Sequence, residues 1–140
     1  MADKPKETLA ERLARLDSTH TLNHSLGFRT VSHGDGKARA ELECTTAVQN
    51  LNGFLHGGAT AALVDHVGTV AIMSADRDSR PGVTTDLNVT YLAPAATGGK
   101  VYADATVLKV GKIMAYVTVD VRRAEDNVLI AQGRMSKYQG

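Results

Sequence analysis

The fold is decided by the stretch Gly57–Ala75, which has the sequence GGATAALVDHVGTVAIMSA. Small and apolar residues fill almost every position, and the stretch is long enough for about five helical turns. We therefore expect a long helix that is apolar on nearly all sides and buried within the domain. Asp65 is its one charged residue. A buried carboxylate destabilises the folded protein unless a partner group compensates for its burial, and proteins keep such groups where function needs them. Asp65 is therefore a candidate catalytic or ligand-binding group. The alternative is a structural carboxylate that is hydrogen-bonded to a neighbouring strand.

Segments of strand character lie on both sides of this helix. They are 26–31 and 38–44 before it, and 83–91, 100–110, 113–122 and 128–137 after it. Apolar and polar residues alternate in these segments, which predicts half-buried strands. In segment 83–91 the alternation places Val83, Thr85 and Tyr91 on one face and Thr84 on the other. Short turns make the last four strands an antiparallel meander, so one long helix on one antiparallel sheet predicts an α+β architecture.

The chain has 140 residues, the size of one domain, and we expect a single domain over residues 1–140. Leu9, Leu13 and Leu16 recur at helical spacing, which predicts an N-terminal helix within residues 1–20 that docks on the rest. Residues 1–17 have no apolar core like that of a secretory signal. The expected location is the cytoplasm, with the mitochondrion as the alternative, and not the secretory pathway.

Composition excludes several classes of function. Lys and Arg number 16 and Asp and Glu 15, so a net charge of +1 argues against a strongly basic nucleic-acid-binding protein. Aromatic residues make up 4%, too few for the stacking surfaces that bind single strands. No run of about 20 apolar residues predicts a membrane span. Cys44 is the single cysteine, and His20 and His24 have no evident third ligand, so we expect neither a disulfide nor a metal site.

The helix opens with His56-Gly57-Gly58, without a Ser, Thr or Asp cap. The first backbone N–H groups are then expected to be uncovered at the positive end of the helix dipole, where they can stabilise an oxyanion. Gly57 and Asp65 lie about 12 Å apart along one helix, so one carbonyl group cannot contact both. We therefore predict a twofold dimer with two shared sites, each taking Gly57 from one chain and Asp65 from the other.

The motifs around and after the helix occur together in one protein family. They are Asn50, Leu55-His56-Gly57-Gly58, Ala62-Leu63-Val64-Asp65, Pro81-Gly82-Val83, Asp86-Leu87-Asn88-Val89-Thr90-Tyr91, Val107-Leu108-Lys109 with Gly111-Lys112, and Leu129-Ile130-Ala131-Gln132-Gly133-Arg134. On these residues the sequence resembles the hotdog-fold acyl-CoA thioesterases. The resemblance implies an antiparallel sheet wrapped around one long central helix, with chains paired into dimers and usually tetramers. It implies no cofactor besides the CoA of the substrate.

The resemblance also implies roles for individual residues. The family's carboxylate falls on Asp65, as general base or nucleophile toward the thioester, and its helix-start N–H falls on Gly57. Asn50 and His56 match residues that line this site, and Thr84 matches a serine of the family. The residues that would lie along the CoA are Thr84, Asp86, Tyr91, Lys109, Gly111, Lys112 and Tyr138.

We expect hydrolysis of a fatty acyl-CoA of medium to long chain, or of an aryl acyl-CoA, to free acid and CoA, as part of fatty acid metabolism. Two alternatives stay open. A hydratase or dehydratase would pair His56 with Asp65 as acid and base on an enoyl or hydroxyacyl thioester. A non-catalytic protein would bind acyl-CoA without cleaving it. Two interpretations are open for the basic side chains of the last strand, Arg134 and Lys137. They are either exposed to solvent or bind a phosphorylated ligand.

Overall fold

The structure, a computed structural model, describes residues 5–19 and 21–140. Residues 1–4 and 20 of the predicted N-terminal segment, which include His20, lie outside the described residues. The helices are α1 (Leu9–Asp17), α2 (Leu22–Leu26) and α3 (Gly57–Ala75). The strands are β1 (Arg29–Gly34), β2 (Lys37–Glu43), β3 (Val83–Tyr91), β4 (Lys100–Val110), β5 (Met114–Arg123) and β6 (Leu129–Tyr138).

The six strands form one sheet in the order β1-β2-β4-β5-β6-β3, and every neighbouring pair is antiparallel. Strands β1 and β3 are therefore the two edges of the sheet. Helix α3 contacts all six strands, so the sheet curves around it. This arrangement confirms the predicted α+β architecture. The predicted meander of the last four strands holds for β4, β5 and β6 but is wrong for β3, which pairs with β6 and not with β4.

Helix α3 begins at Gly57 and ends at Ala75, as the sequence predicts, and it approaches the sheet closely at two glycines. A Cβ atom on Gly133 of β6 would lie 2.5 Å from Cγ1 of Val64, and one on Gly68 would lie 2.6 Å from Cε of Met135. The helix is long and apolar enough to cross a bilayer, but 61% of its most apolar window is buried inside the protein. It is packed as the core helix of a folded domain.

The structure corrects the sequence-based prediction before β2. Residues 26–31 were expected to form a strand, but helix α2 occupies 22–26 and β1 starts at Arg29. The Thr21 side chain caps α2 by accepting a hydrogen bond from the His24 N–H, and Gly27 ends the helix with φ +84°. Helix α1 precedes α2 and buries Leu13 against the domain.

Strand β3 contains an irregularity that decides where one side chain points. Its pairing with β6 shifts register between Thr84 and Asp86, so Thr85 is the extra residue of a β-bulge. Strict alternation placed Thr84 and Tyr91 on opposite faces, and this prediction is wrong. The bulge turns both side chains towards α3, and it leaves Val83 66% exposed.

Candidate active site

Asp65 lies in the middle of α3, half-buried, and faces the start of β3. Its Oδ1 atom accepts a 2.7 Å hydrogen bond from Oγ1 of Thr84. Among the described residues no hydrogen bond reaches its other oxygen, Oδ2. The carboxylate is thus bonded to a neighbouring strand, as a structural role would require, while one oxygen remains available to accept a proton. This second property is the one that chemistry needs.

The helix start differs from the expectation. His56 is the N-cap residue, and its Nδ1 accepts a 2.8 Å hydrogen bond from the Gly58 N–H, so an imidazole replaces the usual hydroxyl or carboxylate cap. The Gly57 N–H, in contrast, makes no hydrogen bond within the described part of the chain. The prediction of uncovered N–H groups is therefore wrong for Gly58 and holds for Gly57.

Tyr91, at the far end of β3, fixes the peptide on the other side of this glycine. Its hydroxyl donates a 2.5 Å hydrogen bond to the Gly57 carbonyl oxygen. Burial raises the pKa of Tyr91, which favours the protonated phenol that this bond requires. A Cβ atom on Gly57 would lie 3.3 Å from the Tyr91 ring, so the glycine also lets the strand approach the helix start.

Asn50 belongs to the same end of the molecule. Its Oδ1 accepts hydrogen bonds from the N–H groups of Asn52 at 2.9 Å and Phe54 at 3.1 Å, which shapes the loop before α3. Asn50 and His56 line one hollow of about 740 Å³, whose other lining residues are Thr46, Gln49, Leu51 and Asn52. The structure therefore brings Asn50, His56, Gly57 and Tyr91 together.

The predicted CoA-binding residues divide between this end and the opposite one. Lys109, Gly111 and Lys112 lie at the turn between β4 and β5, closed by a 2.8 Å hydrogen bond from the Gly111 N–H to the Met114 carbonyl. Tyr138 pairs with Val83 and Met114 beside this turn. These residues share the end of the sheet where Thr84 and Asp65 lie, and Tyr91 does not.

Asp86 lies neither with the residues around Gly57 nor with those around Thr84. It follows the bulge and lies on the outer face of the sheet, where it lines a hollow of about 400 Å³ with Asn88, Thr90, Thr118, Gln132, Gly133 and Arg134. Because Thr84 faces α3 and Asp86 faces away from it, the two residues cannot contact the same group within one chain.

Sequence reasoning missed one residue of the Asp65 environment. Lys137 was expected to end in solvent or on a ligand, but it is 5% exposed, and its Nζ donates a 2.7 Å hydrogen bond to Oγ1 of Thr69. Burial lowers the pKa of Lys137, and the negative charge of Asp65 opposes that shift. A signal was present, since Lys137 shares its alternation with the buried Gly133 and Met135.

His66, next to Asp65 in sequence, points the other way. The Asn23 amide donates to its Nδ1 over 2.9 Å, and its Nε2 lies 3.0 Å from Oγ1 of Thr30. The ring stacks on Phe28 with 5.9 Å between ring centres. Both ring nitrogens are occupied, and burial lowers the pKa of His66, so its role is structural. Within residues 5–19 and 21–140, no group of three or more His, Cys, Asp or Glu side chains is arranged for a metal ion.

A long helix wrapped by an antiparallel sheet, with a lone carboxylate inside the helix and a free N–H at its start, defines a thioester hydrolase of the hotdog class. The chain belongs to the thioesterase superfamily, whose family model matches residues 52–130.

Individual relatives agree with this assignment. Human acyl-coenzyme A thioesterase 13 is 38% identical over 135 residues, which cover 96% of each chain. The crystal structure of zebrafish thioesterase superfamily member 2 matches with a TM-score of 0.87 at 35% identity, over 96% of this chain and 100% of that one. Mouse thioesterase superfamily member 2 matches with a TM-score of 0.83 at 34% identity, over 96% and 100%. The hotdog fold and the hydrolase class that the sequence predicted are confirmed.

Proposed function

We propose that this protein hydrolyses acyl-CoA thioesters to a free acid and CoA by water that Asp65 activates. The observation that carries the proposal is the Asp65 carboxylate, which Thr84 holds by Oδ1 while Oδ2 is left without a hydrogen bond among the described residues. A positioned carboxylate can take a proton from water at the moment of attack. The named relatives, among them human acyl-coenzyme A thioesterase 13, support acyl-CoA as the substrate.

The reaction balances with these groups. Asp65 accepts a proton from water, and the water oxygen attacks the thioester carbonyl carbon. The negative charge that develops on the carbonyl oxygen is stabilised by the Gly57 N–H of the partner subunit, which lies at the positive end of a helix dipole. When the carbon–sulfur bond breaks, the CoA sulfur takes the proton from Asp65. The products are the acid and the CoA thiol, and the carboxylate is restored.

The need for two chains follows from where the two groups lie. Thr84 at the start of β3 contacts Asp65, whereas Tyr91 at its end contacts Gly57. Strand β3 is an edge of the sheet, and Val83 and Leu87 on it are 66% and 37% exposed. The unpaired N–H and C=O groups of a long edge strand favour pairing with another strand. Two β3 strands paired antiparallel about a twofold axis would set Thr84 of each chain near Tyr91 of the other, which completes two sites. Two such dimers forming a tetramer is part of the same proposal.

Charge supports the placement of the CoA. Lys109 and Lys112 are exposed at the same end as Thr84, and Tyr138 beside them is 47% exposed. Ammonium groups suit phosphates, and an exposed aromatic ring suits a nucleobase. The acyl group would extend from the thioester toward the partner's helix start. We propose fatty acyl chains of medium to long length, or aryl groups, as the acyl part, and the cytoplasm as the location.

Asp65 could instead attack the carbonyl carbon itself, which would form an acyl anhydride and release CoA before water enters. A single turnover in heavy-oxygen water separates the general-base route from the anhydride route in which water attacks the Asp65 carbon. If Asp65 is the base, the first acid released carries the heavy oxygen. If Asp65 is the nucleophile and water attacks the acyl carbon of the anhydride, the label pattern is the same as for the base, and this route is recognised instead by mass measurement of quenched protein that carries the acyl group after CoA has left. Water attack at the Asp65 carbon would place the label on the protein.

The experiment that tests the proposed function is a thiol-release screen over short, medium, long and aromatic acyl-CoAs. Release of CoA with formation of the free acid supports it. Hydration of an enoyl-CoA without thiol release would instead show a hydratase. For that reaction His56 would have to act as an acid, although its Nδ1 is occupied by the Gly58 N–H. Acyl-CoA binding without turnover would show a non-catalytic binding protein.

A further inference from the structure

Lys137 places a buried ammonium group beside the Asp65 turn of α3. Its Nζ donates to Oγ1 of Thr69 at 2.7 Å, and that hydroxyl donates to the backbone carbonyl of Asp65 at 2.7 Å. On the adjoining strand β3, the residue paired with Lys137 is Thr84, which donates to the Asp65 carboxylate. Two side chains of adjacent strands therefore hold the same helical turn, one through the carboxylate and the other through the backbone.

A packing role alone does not explain a lysine at this position. Lys137 is 5% exposed, and burying an ammonium group is costly where an apolar side chain could fill the space. The charged group that faces it is Asp65 of α3. Its cross-strand partners, Thr84 on β3 and Ala115 on β5, carry no charge. Burial lowers the pKa of Lys137 while Asp65 raises it, so the two charges are coupled.

We propose that Lys137 is a positioning residue for hydrolysis, whose positive charge lies on the Asp65 side of α3 while its hydrogen bond to Thr69 fixes the Asp65–Thr69 turn against β6. The inference rests on the proposed role of Asp65. Lys137 does not touch the substrate in this scheme. It acts through Asp65, and therefore its loss should appear in kcat and in the pH dependence rather than in KM.

Three variants separate charge from hydrogen bonding. Lys137→Met removes both, Lys137→Gln removes the charge but keeps an N–H donor toward Thr69, and Lys37→Met alters an exposed lysine at the start of β2 as the matched control. If the charge matters, Met and Gln variants both lose roughly tenfold in kcat with little change in KM. The acid limb of the kcat/KM profile moves to higher pH in both variants.

A second measurement does not depend on turnover. The side-chain carboxyl carbon of Asp65, assigned with Asp65→Asn, is followed by NMR through an acid titration. Its midpoint should move to higher pH in Lys137→Gln and stay in place in Lys37→Met. An unchanged midpoint overturns the inference, whether or not any acyl-CoA is hydrolysed. So does recovery of wild-type kcat by Lys137→Gln, which would show an anchoring role only.

If Lys137→Met does not fold, Lys137→Gln alone decides between these outcomes. A wild-type protein that releases no thiol contradicts the proposed function. An active wild type, an inactive Asp65→Asn variant and a normal Lys137→Gln variant together contradict only the role of Lys137.

Discussion

Thr84 donates its hydroxyl proton to Oδ1 of Asp65 over 2.7 Å, across the space between β3 and α3. The contact exists because the bulge at Thr85 turns Thr84 toward the helix. One oxygen of the carboxylate is thereby fixed in direction. The position of the other oxygen, Oδ2, follows from the first, so the Thr84 hydroxyl orients the whole carboxylate.

Replacing the carboxylate should remove turnover while the fold stays intact. Asp65→Asn keeps the volume and an acceptor oxygen for Thr84, but it cannot take a proton from water. We expect kcat to fall by about 10²–10⁴, the range for a positioned general base. Asp35→Asn is the matched control, since Asp35 lies in an exposed turn with φ +51°, which asparagine tolerates. Activity of Asp65→Asn within a few-fold of wild type would remove Asp65 from the mechanism.

The Thr84 hydroxyl should matter less than the carboxylate that it orients. Thr84→Ala is expected to slow hydrolysis by roughly tenfold, or about 1.4 kcal/mol of transition-state stabilisation. Thr84→Ser keeps the oxygen and should retain most of the activity, although it frees the χ1 rotation that threonine restricts. Steady-state kinetics on all three proteins measures both effects. An alanine variant as impaired as Asp65→Asn would mean that Thr84 takes part in the chemistry itself.

Two inactive variants should restore activity when they share a dimer. Asp65→Asn removes the base, and Gly57→Pro removes the N–H that would hold the oxyanion. In a heterodimer with shared sites, one site carries both changes and the other neither, so activity should return to about half of the wild-type value per heterodimer. Co-refolding followed by mass measurement and a thiol-release assay tests this expectation.

The matched control for that experiment is Gly57→Ala. It retains the N–H and adds a Cβ atom 3.3 Å from the Tyr91 ring, so it reports the steric effect of filling this position. Verified heterodimers of Asp65→Asn and Gly57→Pro that stay inactive would show that the two groups do not act across an interface.

His66 should make the protein less stable in mild acid. Burial lowers the pKa of His66 in the folded state, so the unfolded chain binds an additional proton between that value and the ordinary value of about 6.5. Unfolding free energy therefore falls as pH decreases through this window, because a protonated Nδ1 would oppose the N–H of Asn23. Urea unfolding from about pH 8 to pH 5 should show this slope in the wild type and a smaller one in His66→Gln. Equal slopes in the two proteins would assign the acid sensitivity to other groups.

The closest approach of helix and sheet should be sensitive to one methyl group. Gly133→Ala places a Cβ atom 2.5 Å from Cγ1 of Val64, so we expect a loss of about 1–3 kcal/mol in unfolding free energy. Val64→Ala creates a cavity at the same contact and is also destabilising. The double variant should lose less than the sum of the two, since each change relieves the other. Strictly additive values would show that the backbone moves apart instead.

The long helix and most of the sheet could be predicted because their signals are local. An almost unbroken apolar run opened by two glycines gave the bounds of α3, and alternation gave β2, β3, β4, β5 and β6 to within a few residues. Helix α2 was missed because its 5 residues are too few to show a repeating helical pattern, and its limits are set by Thr21 and Gly27.

The missed features of the site have different causes. The bulge at Thr85 depends on pairing with β6, which no local pattern of β3 reveals, and it reversed the predicted face of Thr84. Histidine is not one of the residue types that usually cap a helix start, so the sequence did not predict the cap that His56 forms. Lys137 was predictable in principle from its alternation with Gly133 and Met135, but its charge favoured an exposed interpretation.

The contacts of His66 have a consequence for the N-terminal part of the chain. Asn23 and Thr30 hold His66, the residue after Asp65 in α3, whereas Thr84 holds Asp65 itself. The central turn of α3 is thus held by side chains of two different segments, and one of them is the segment that contains α2 and β1. Trimming that segment would leave every residue of the reaction scheme in the sequence, yet it would remove one set of the contacts that hold the Asp65 turn in place.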